Sequence, residues 1–354
     1  MKIVVLGAGA WGTALAKVIA DKGNPVIIWA FEPEVCEDIN VHHTNSRFLP
    51  EIRLPDTITA VNDIVAAAEE AEFLILAIPS LYLLDTVKRI LTVSSIREGQ
   101  TAIAVITKGF LPSESGPRLI LEALEDYLPG FYQHALVYIA GPSHAEEVSR
   151  GKITGLIAAS ENAKNSIRFR DLLRTPRLLV FSSFDVRGVQ VAAAAKNVIA
   201  IVFGMLDALK NSRSTNKLWA ESLGDGTESL LLAAGLNEIQ LLGRALKATH
   251  SETFTSISGV GDLDVTCRSV FGRNRRFGWE IIEKRILERF AGIDDLLNRI
   301  NEIGYLPEGI VAAKYVKMLI EEHHLKAPVS LALYRILNRE IEPEAVLQEF
   351  LESL

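Results

Sequence analysis

Through the first half of the chain, short apolar runs rich in β-branched residues alternate with longer stretches whose apolar positions recur at helical spacing. Lys2–Leu6, Pro25–Ala30, Phe73–Ile78, Thr101–Ile106 and Ala135–Ile139 read as strands, followed by Thr154–Ala159 and Leu178–Ser182. Pro142–Arg150 and Glu161–Arg174 fit helices between the later strands. Such alternation predicts repeated strand-helix units packed as a parallel sheet. About seven or eight strands are expected, in a Rossmann-like doubly wound domain over residues 1–187.

From about Val186 the strand signals stop, and helical segments separated by Gly-, Ser- and Asn-containing turns take over. The fold class is therefore α/β, with an all-α C-terminal domain expected over residues 188–354. The first domain is expected to bind a dinucleotide and the second a substrate. Val189 to Leu209 is the most apolar long stretch, but Gln190, Lys196 and Asn197 interrupt it. A membrane span would have to bury that charge, so the stretch reads as a buried helix. Lys210 to Gly226 is polar and irregular and reads as a surface loop.

At 354 residues the chain exceeds the usual growth of one hydrophobic core, in keeping with two domains. Hydrophobic residues at 49% and charged ones at 23% are ordinary globular usage, so both halves can fold. A net charge of -7, with basic residues scattered except at Arg273-Asn274-Arg275-Arg276, argues against a nucleic-acid partner. Cys36 and Cys267 stand far apart without metal-ligand spacing, so no metal site or disulfide framework is expected. Met1-Lys2-Ile3-Val4-Val5 runs straight into a glycine-rich turn and leaves no room for a signal peptide. A reducing cytoplasm is the expected location.

That turn is Gly7-Ala8-Gly9-Ala10-Trp11-Gly12, a G-x-G-x-x-G between an apolar strand and an alanine-rich helix. In this context Gly7 permits the tight turn, Gly9 lets backbone approach a pyrophosphate, and Gly12 lets helix pack on strand. The helix N-terminus then holds the anion. The second strand ends just before Phe31-Glu32, where an adenosine ribose would lie, and an acidic residue there with no adjacent arginine favours NAD over NADP. Phe31 either stacks on adenine or is an ordinary core aromatic. Pro79-Ser80 falls at the carboxyl edge of a later strand, where the cofactor must cross.

Lys196 interrupts an alanine- and valine-rich helix on every face. Desolvation would lower its pKa from about 10.4 toward neutrality, where a proton acceptor for alcohol oxidation is useful. The alternative is a lysine that snorkels to solvent. Lys108, at another strand end, either polarises a carbonyl or is a solvated loop lysine. Gly141-Pro142-Ser143-His144-Ala145 turns into a helix that Ser143 is placed to cap, its N–H groups serving a ligand oxygen or the cap alone. Gly259-Val260-Gly261-Asp262, Thr266-Cys267 and Gly272-Arg273-Asn274-Arg275-Arg276-Phe277-Gly278 combine a lysine-tuning carboxylate with guanidinium groups suited to a phosphate monoester. A solvated basic face is the plainer reading of the same run.

Taken together these segments resemble the NAD(P)-dependent glycerol-3-phosphate dehydrogenases over nearly the whole chain. The most specific are Gly141-Pro142-Ser143, Lys196-Asn197-Val198-Ile199-Ala200, Gly261-Asp262-Leu263 with Thr266-Cys267, and Arg273 to Gly278, and the resemblance extends to Leu306-Pro307-Glu308-Gly309. It implies that Lys196 accepts the proton as sn-glycerol 3-phosphate is oxidised to dihydroxyacetone phosphate, with Lys108 and Asp262 around the C2 oxygen. Arg273 and Asn274 would hold the phosphate of this small-molecule substrate, and Gly141, Ser143, Thr266 and Gly272 would line its site. Ala10, Trp11, Phe31, Pro79, Lys108, Ala145, Arg273, Leu306 and Glu308 would join the glycine turn around NAD, with NADP a second possibility. A homodimer and a role linking glycolysis to glycerophospholipid synthesis are also expected.

Departures from the family pattern are the longer Ala208–Gly226 segment followed by Thr227-Glu228, Ala233-Ala234 in place of an arginine-containing pair, and Gly272 in place of a serine. Two rivals stand beside this reading: a dehydrogenase of the same architecture for another hydroxy acid, resembling ketopantoate reductase or 6-phosphogluconate dehydrogenase, and a non-catalytic NAD-binding sensor.

Overall fold

The computed structural model describes residues 1–113, 116–211 and 221–352. They divide into two compact units, residues 1–111 with 119–186 and residues 112–118 with 187–354. The first unit is built on β1 (Ile3–Leu6), α1 (Ala10–Asp21), β2 (Val26–Trp29), β3 (Ile58–Val61), β4 (Phe73–Leu76), α2 (Ser80–Ile90) and β5 (Ala102–Val105). After β6 (Phe110–Ser113) and β7 (Gly116–Leu119), which form a separate two-stranded sheet lying mostly in the second unit, come β8 (Val137–Ala140), β9 (Thr154–Ala159), α3 (Ala163–Leu173) and β10 (Leu178–Ser183).

Eight strands form one sheet in the order β10-β9-β8-β5-β4-β1-β2-β3. Every neighbouring pair is parallel except β8 with β9. The order reverses between β1 and β4, and in such sheets ligands bind beyond the carboxyl ends of the strands at that switch point. All seven strands expected from the sequence are present: four have trimmed ends, Thr154–Ala159 is unchanged, the last extends to Ser183, and the fifth shifts to Val137–Ala140. The eighth, β3, has only Ile58 and Ala60 fully buried and lies at the sheet edge, so its apolar signal is short. The β6-β7 hairpin was hidden by Pro112 and Pro117, which argue against a strand in any local reading.

The second unit is organised on α4 (Val186–Asn211), α5 (Asp225–Ala245), α6 (Asp262–Arg268), α7 (Arg273–Glu283), α8 (Glu308–Glu322) and α9 (Pro328–Leu337), with shorter helical turns between them. The apolar window of α4 is wholly buried within the protein, as expected for a core helix. Close approach of α7 explains two glycines: a Cβ on Gly204 would lie 1.9 Å from the Arg275 carbonyl oxygen, and one on Gly278 would lie 1.9 Å from that of Ile201. Of the stretch expected as a surface loop, residues 212–220 lie outside the described residues. Lys210 and Asn211 instead close α4, and Asp225 and Gly226 open α5.

One buried carboxyl ties α5 to α9. Helix α9 begins after Ala327, whose side chain cannot cap it, and Glu238 supplies the missing acceptors from a distance. Its Oε1 accepts the Val329 N–H at 2.7 Å, and its Oε2 accepts the Ser330 N–H at 3.0 Å and hydroxyl at 2.7 Å. Burial pushes the Glu238 carboxyl up to about 7 even though these donors favour the anion. A folded-state value above the ordinary one means that folding takes up a proton. This contribution to stability is therefore complete below the unfolded value and is lost as pH rises through 7, by on the order of 3 kcal/mol. Urea unfolding should find Glu238→Ala less stable by about 2–3 kcal/mol at pH 5, with two N–H groups left unsatisfied, and the gap should narrow by pH 8. A gap that widens with pH would contradict the assignment.

Candidate active site

In the first unit the glycine turn is fixed by crowding on one side and left open on the other. Gly7 has φ +117°, and a Cβ there would lie 2.5 Å from the Ala77 carbonyl oxygen. A Cβ on Gly12 would meet the Gly7 carbonyl oxygen at 2.2 Å, so α1 reaches the end of β1 only without one. Gly9 has nothing within 4 Å of its Cβ position and precedes α1 with no side-chain cap. The N–H groups of Ala10 and Trp11, both half-buried, therefore open a helix N-terminus that a phosphate oxygen can approach. These features fit the pyrophosphate of a dinucleotide.

Two asparagines that the sequence reading missed set this site. Asn45, 1% exposed, donates to the Ala8 carbonyl oxygen at 2.7 Å and to the Thr13 hydroxyl at 2.8 Å, while its Oδ1 accepts the Phe48 N–H at 3.2 Å. Asn62 donates to the carbonyl oxygens of Ala30 at 2.8 Å and Phe31 at 2.7 Å, holding the turn at the end of β2. Phe31 is 70% exposed, which rules out its reading as a core aromatic and leaves a face for stacking. No arginine adjoins Glu32 in sequence, yet Arg47 lies 3.7 Å from its Oε1 in space.

Along the carboxyl edge, the Thr107 hydroxyl donates to the Ile78 carbonyl oxygen at 2.6 Å, joining the ends of β4 and β5 beside exposed Pro79 and half-buried Lys108. Gly141 follows β8, and Ser143 departs from the expected helix cap. The short helix Ala145–Ser149 starts after His144, and the Ser143 hydroxyl turns back to the Gly141 carbonyl oxygen at 3.1 Å. Ala145 is buried at the start of that helix.

In the second unit Lys196 is 2% exposed, so the snorkelling reading fails. Its Nζ donates to Asp262 Oδ1 and, at 2.8 Å, to the Thr266 hydroxyl. That hydroxyl in turn donates to the Asp262 carbonyl oxygen at 2.6 Å, which fixes its lone pairs toward the ammonium. Asp262 is fully buried. A buried lysine hydrogen-bonded to a buried carboxylate is weak evidence for stability, and such pairs cluster at functional sites.

Helix α7 brings the arginine run together with this centre, and the run divides. Arg275 pairs with Asp207 at 2.5 Å and Arg276 with Glu280 at 3.1 Å, whereas exposed Arg273 has no ion-pair partner among the described residues. Asn274 uses its amide inward: Nδ2 donates to Asn197 Oδ1 at 2.9 Å and Oδ1 accepts the Gly309 N–H at 2.9 Å. Lys196, Arg273 and Glu308 thus sit on segments joined by one buried amide, with half-buried Leu306 just before them. Gly272 starts α7 with its Cβ position 3.1 Å from the Thr266 carbonyl oxygen. Glu228, in the divergent region, is bridged to Lys210 at 3.0 Å and Arg268 at 3.1 Å.

Two family models match the chain, the N-terminal part of NAD-dependent glycerol-3-phosphate dehydrogenase over residues 2–166 and its C-terminal part over residues 185–348. A glycerol-3-phosphate dehydrogenase (NAD(P)+) of Treponema denticola is 53% identical over 99% of this chain and 98% of its own length. One from Bacillus cereus is 34% identical over 95% of this chain and 91% of its own length. The crystal structure of glycerol-3-phosphate dehydrogenase from Coxiella burnetii superposes with a TM-score of 0.83 at 29% identity, covering 99% of this chain and 98% of that one.

The buried pair makes a stability prediction. Lys196→Met leaves the Asp262 carboxylate without its counter-charge and should cost roughly 3–5 kcal/mol in denaturant unfolding. Adding Asp262→Leu should recover most of that loss. A double variant no more stable than the single one would show that the two side chains do not act as a pair.

Proposed function

The chain belongs to the NAD-dependent glycerol-3-phosphate dehydrogenase family, and from that premise we propose that it interconverts sn-glycerol 3-phosphate and dihydroxyacetone phosphate with NAD or NADP. The observation that carries the reading is the buried Lys196, held by Asp262 and Thr266 on a helix otherwise lined with aliphatic side chains. Because both family models belong to the same dehydrogenase, neither the hydroxy-acid rival nor the non-catalytic sensor is favoured.

When bound, the nicotinamide cofactor supplies the hydride acceptor or donor. Gly7, Gly9 and Gly12 with the Ala10 and Trp11 backbone would hold its pyrophosphate, and Phe31 its adenine. Pro79, Lys108, Ala145, Arg273, Leu306 and Glu308 are assigned to the rest of it from the family resemblance. In oxidation, Lys196 Nζ, as the neutral amine, takes the proton of the C2 hydroxyl and becomes the ammonium; in reduction the ammonium returns that proton to the carbonyl oxygen. Asp262 keeps the resulting ammonium from standing unpaired in a desolvated site, and Thr266 fixes the direction of one of its hydrogens. Lys108 is assigned to polarise the C2 oxygen.

Among the described residues Arg273 is the guanidinium of its run without a carboxylate partner, so it is the one suited to the substrate phosphate. Asn274 keeps one amide hydrogen beyond its bond to Asn197, which leaves it able to contribute to the same phosphate. Gly141, Ser143 and Gly272 are assigned to the same substrate from the family resemblance. Anchoring the phosphate orients a small substrate that offers few other handles. The product glycerol 3-phosphate suits glycerophospholipid synthesis, the free thiols of Cys36 and Cys267 suit a reducing cytoplasm, and the apolar helical second unit suits a homodimer.

Purified protein should oxidise NADH or NADPH rapidly with dihydroxyacetone phosphate and hardly at all with dihydroxyacetone. Lys196→Arg keeps a cation beside Asp262 but cannot shed its proton near neutral pH. It should still bind NADH while turnover falls by roughly 10²–10⁴-fold. Near-normal turnover in that variant would remove Lys196 from the proton-transfer role.

A further inference from the structure

We infer that Arg47 is the recognition group for a phosphate on the 2′ oxygen of the adenosine ribose, which fits this site to NADP as well as NAD. The inference rests on the cofactor reading above and extends it to a residue that the sequence gives no reason to select. At the end of β2, Glu32 is placed to accept a ribose 2′-hydroxyl. A carboxylate alone would repel a 2′-phosphate, and the structure sets a cation beside it. Arg47 Nη2 lies 3.7 Å from Glu32 Oε1, and Nη1 donates to Glu34 Oε1 at 2.9 Å.

The position of Arg47 is built rather than incidental. Its neighbour Asn45 is buried and bonded to Ala8 and Thr13, so the Asn45–Phe48 turn is fastened to the glycine turn itself. Asn62 fastens Phe31 and hence Glu32 from the other side. The guanidinium carbon stands 5.0 Å over the Phe48 ring, which limits where the head group can swing. Arg47 is nonetheless 53% exposed, Glu34 lies in water and Glu32 is half-buried, so these pairs are worth little. A phosphate dianion offers the guanidinium two parallel charge-assisted bonds and is the stronger partner. With a plain ribose, Arg47 stays on Glu34 and Glu32 serves the hydroxyl.

Calorimetric titration of the full chain with 2′,5′-ADP and with 5′-ADP separates the two recognition modes without relying on turnover. Arg47→Gln should weaken 2′,5′-ADP about tenfold or more and leave 5′-ADP within about twofold. The ratio of kcat/KM for NADPH to that for NADH should fall in parallel. Equal weakening of both probes, or of neither, overturns the inference, as does a wild-type protein that binds 5′-ADP but not 2′,5′-ADP. Wild-type protein that binds neither probe would overturn the cofactor reading and the inference together.

Discussion

A lysine ammonium cannot sit in an aliphatic helix without a counter-charge, and the placement of Asp262 answers that demand. Desolvating either ion alone costs several kcal/mol, so Lys196 and Asp262 are tolerable only together and only at hydrogen-bonding range. The requirement propagates through the second unit. Asp262 opens α6, Thr266 sits one turn later on the same helix to meet the ammonium, and α7 follows after Gly272. Glycines at 204 and 278 let α7 pack directly on the backbone of α4. The apolar surroundings of Lys196 are thus both the reason the pair must exist and the reason its proton is worth controlling.

Around the charged pair, neutral amides do the fastening. A primary amide carries donors and an acceptor at one end of a short side chain, so it can close two backbone gaps at once. Asn274 joins Asn197 to the start of α8, Asn45 joins the glycine turn to the Phe48 turn, and Asn62 holds two successive carbonyls at the end of β2. Ser143, with a single hydroxyl, satisfies only its own turn. The bonds made by Asn274 and those Asn45 donates are buried, which gives them more value than the same bonds in water and makes their loss correspondingly costly, whereas those of Asn62 lie nearer solvent.

What the sequence made legible follows from the range of each signal. The glycine turn announces itself because strand, turn and helix are contiguous, and the seven strands because apolar runs are local. Lys196 stood out by contrast with its immediate neighbours. Asp262 and Arg273 stood out as a lysine-tuning carboxylate and a phosphate-suited guanidinium, but their assigned roles came only through resemblance to a family, since Asp262 meets Lys196 across 66 residues of chain. Asn45 and Glu238 were invisible, because nothing near them in sequence distinguishes a buried, multiply bonded polar residue from a solvated one, and so was exposed Asn62, whose two carbonyl partners lie about thirty residues away. The arginine run illustrates both sides: its composition suggested a phosphate site, yet two of its guanidinium groups are consumed by Asp207 and Glu280. Composition counts charges, and only geometry says which are spent.

The same distinction separates the two acid-base pairings of greatest interest. Lys196 and Asp262 are shut away from water, so their attraction is hardly screened and exchanging either partner is expensive. Arg47 faces solvent beside a half-buried Glu32, so water and salt weaken the pair until a ligand can compete with it. A proton-transfer centre requires the first condition, since its charge state must not drift with the medium. A site that distinguishes a hydroxyl from a phosphate requires the second, because the arginine must be held near its target and still be free to change partners. Burial, more than the identity of the charged residues, decides which of these tasks a pair can perform.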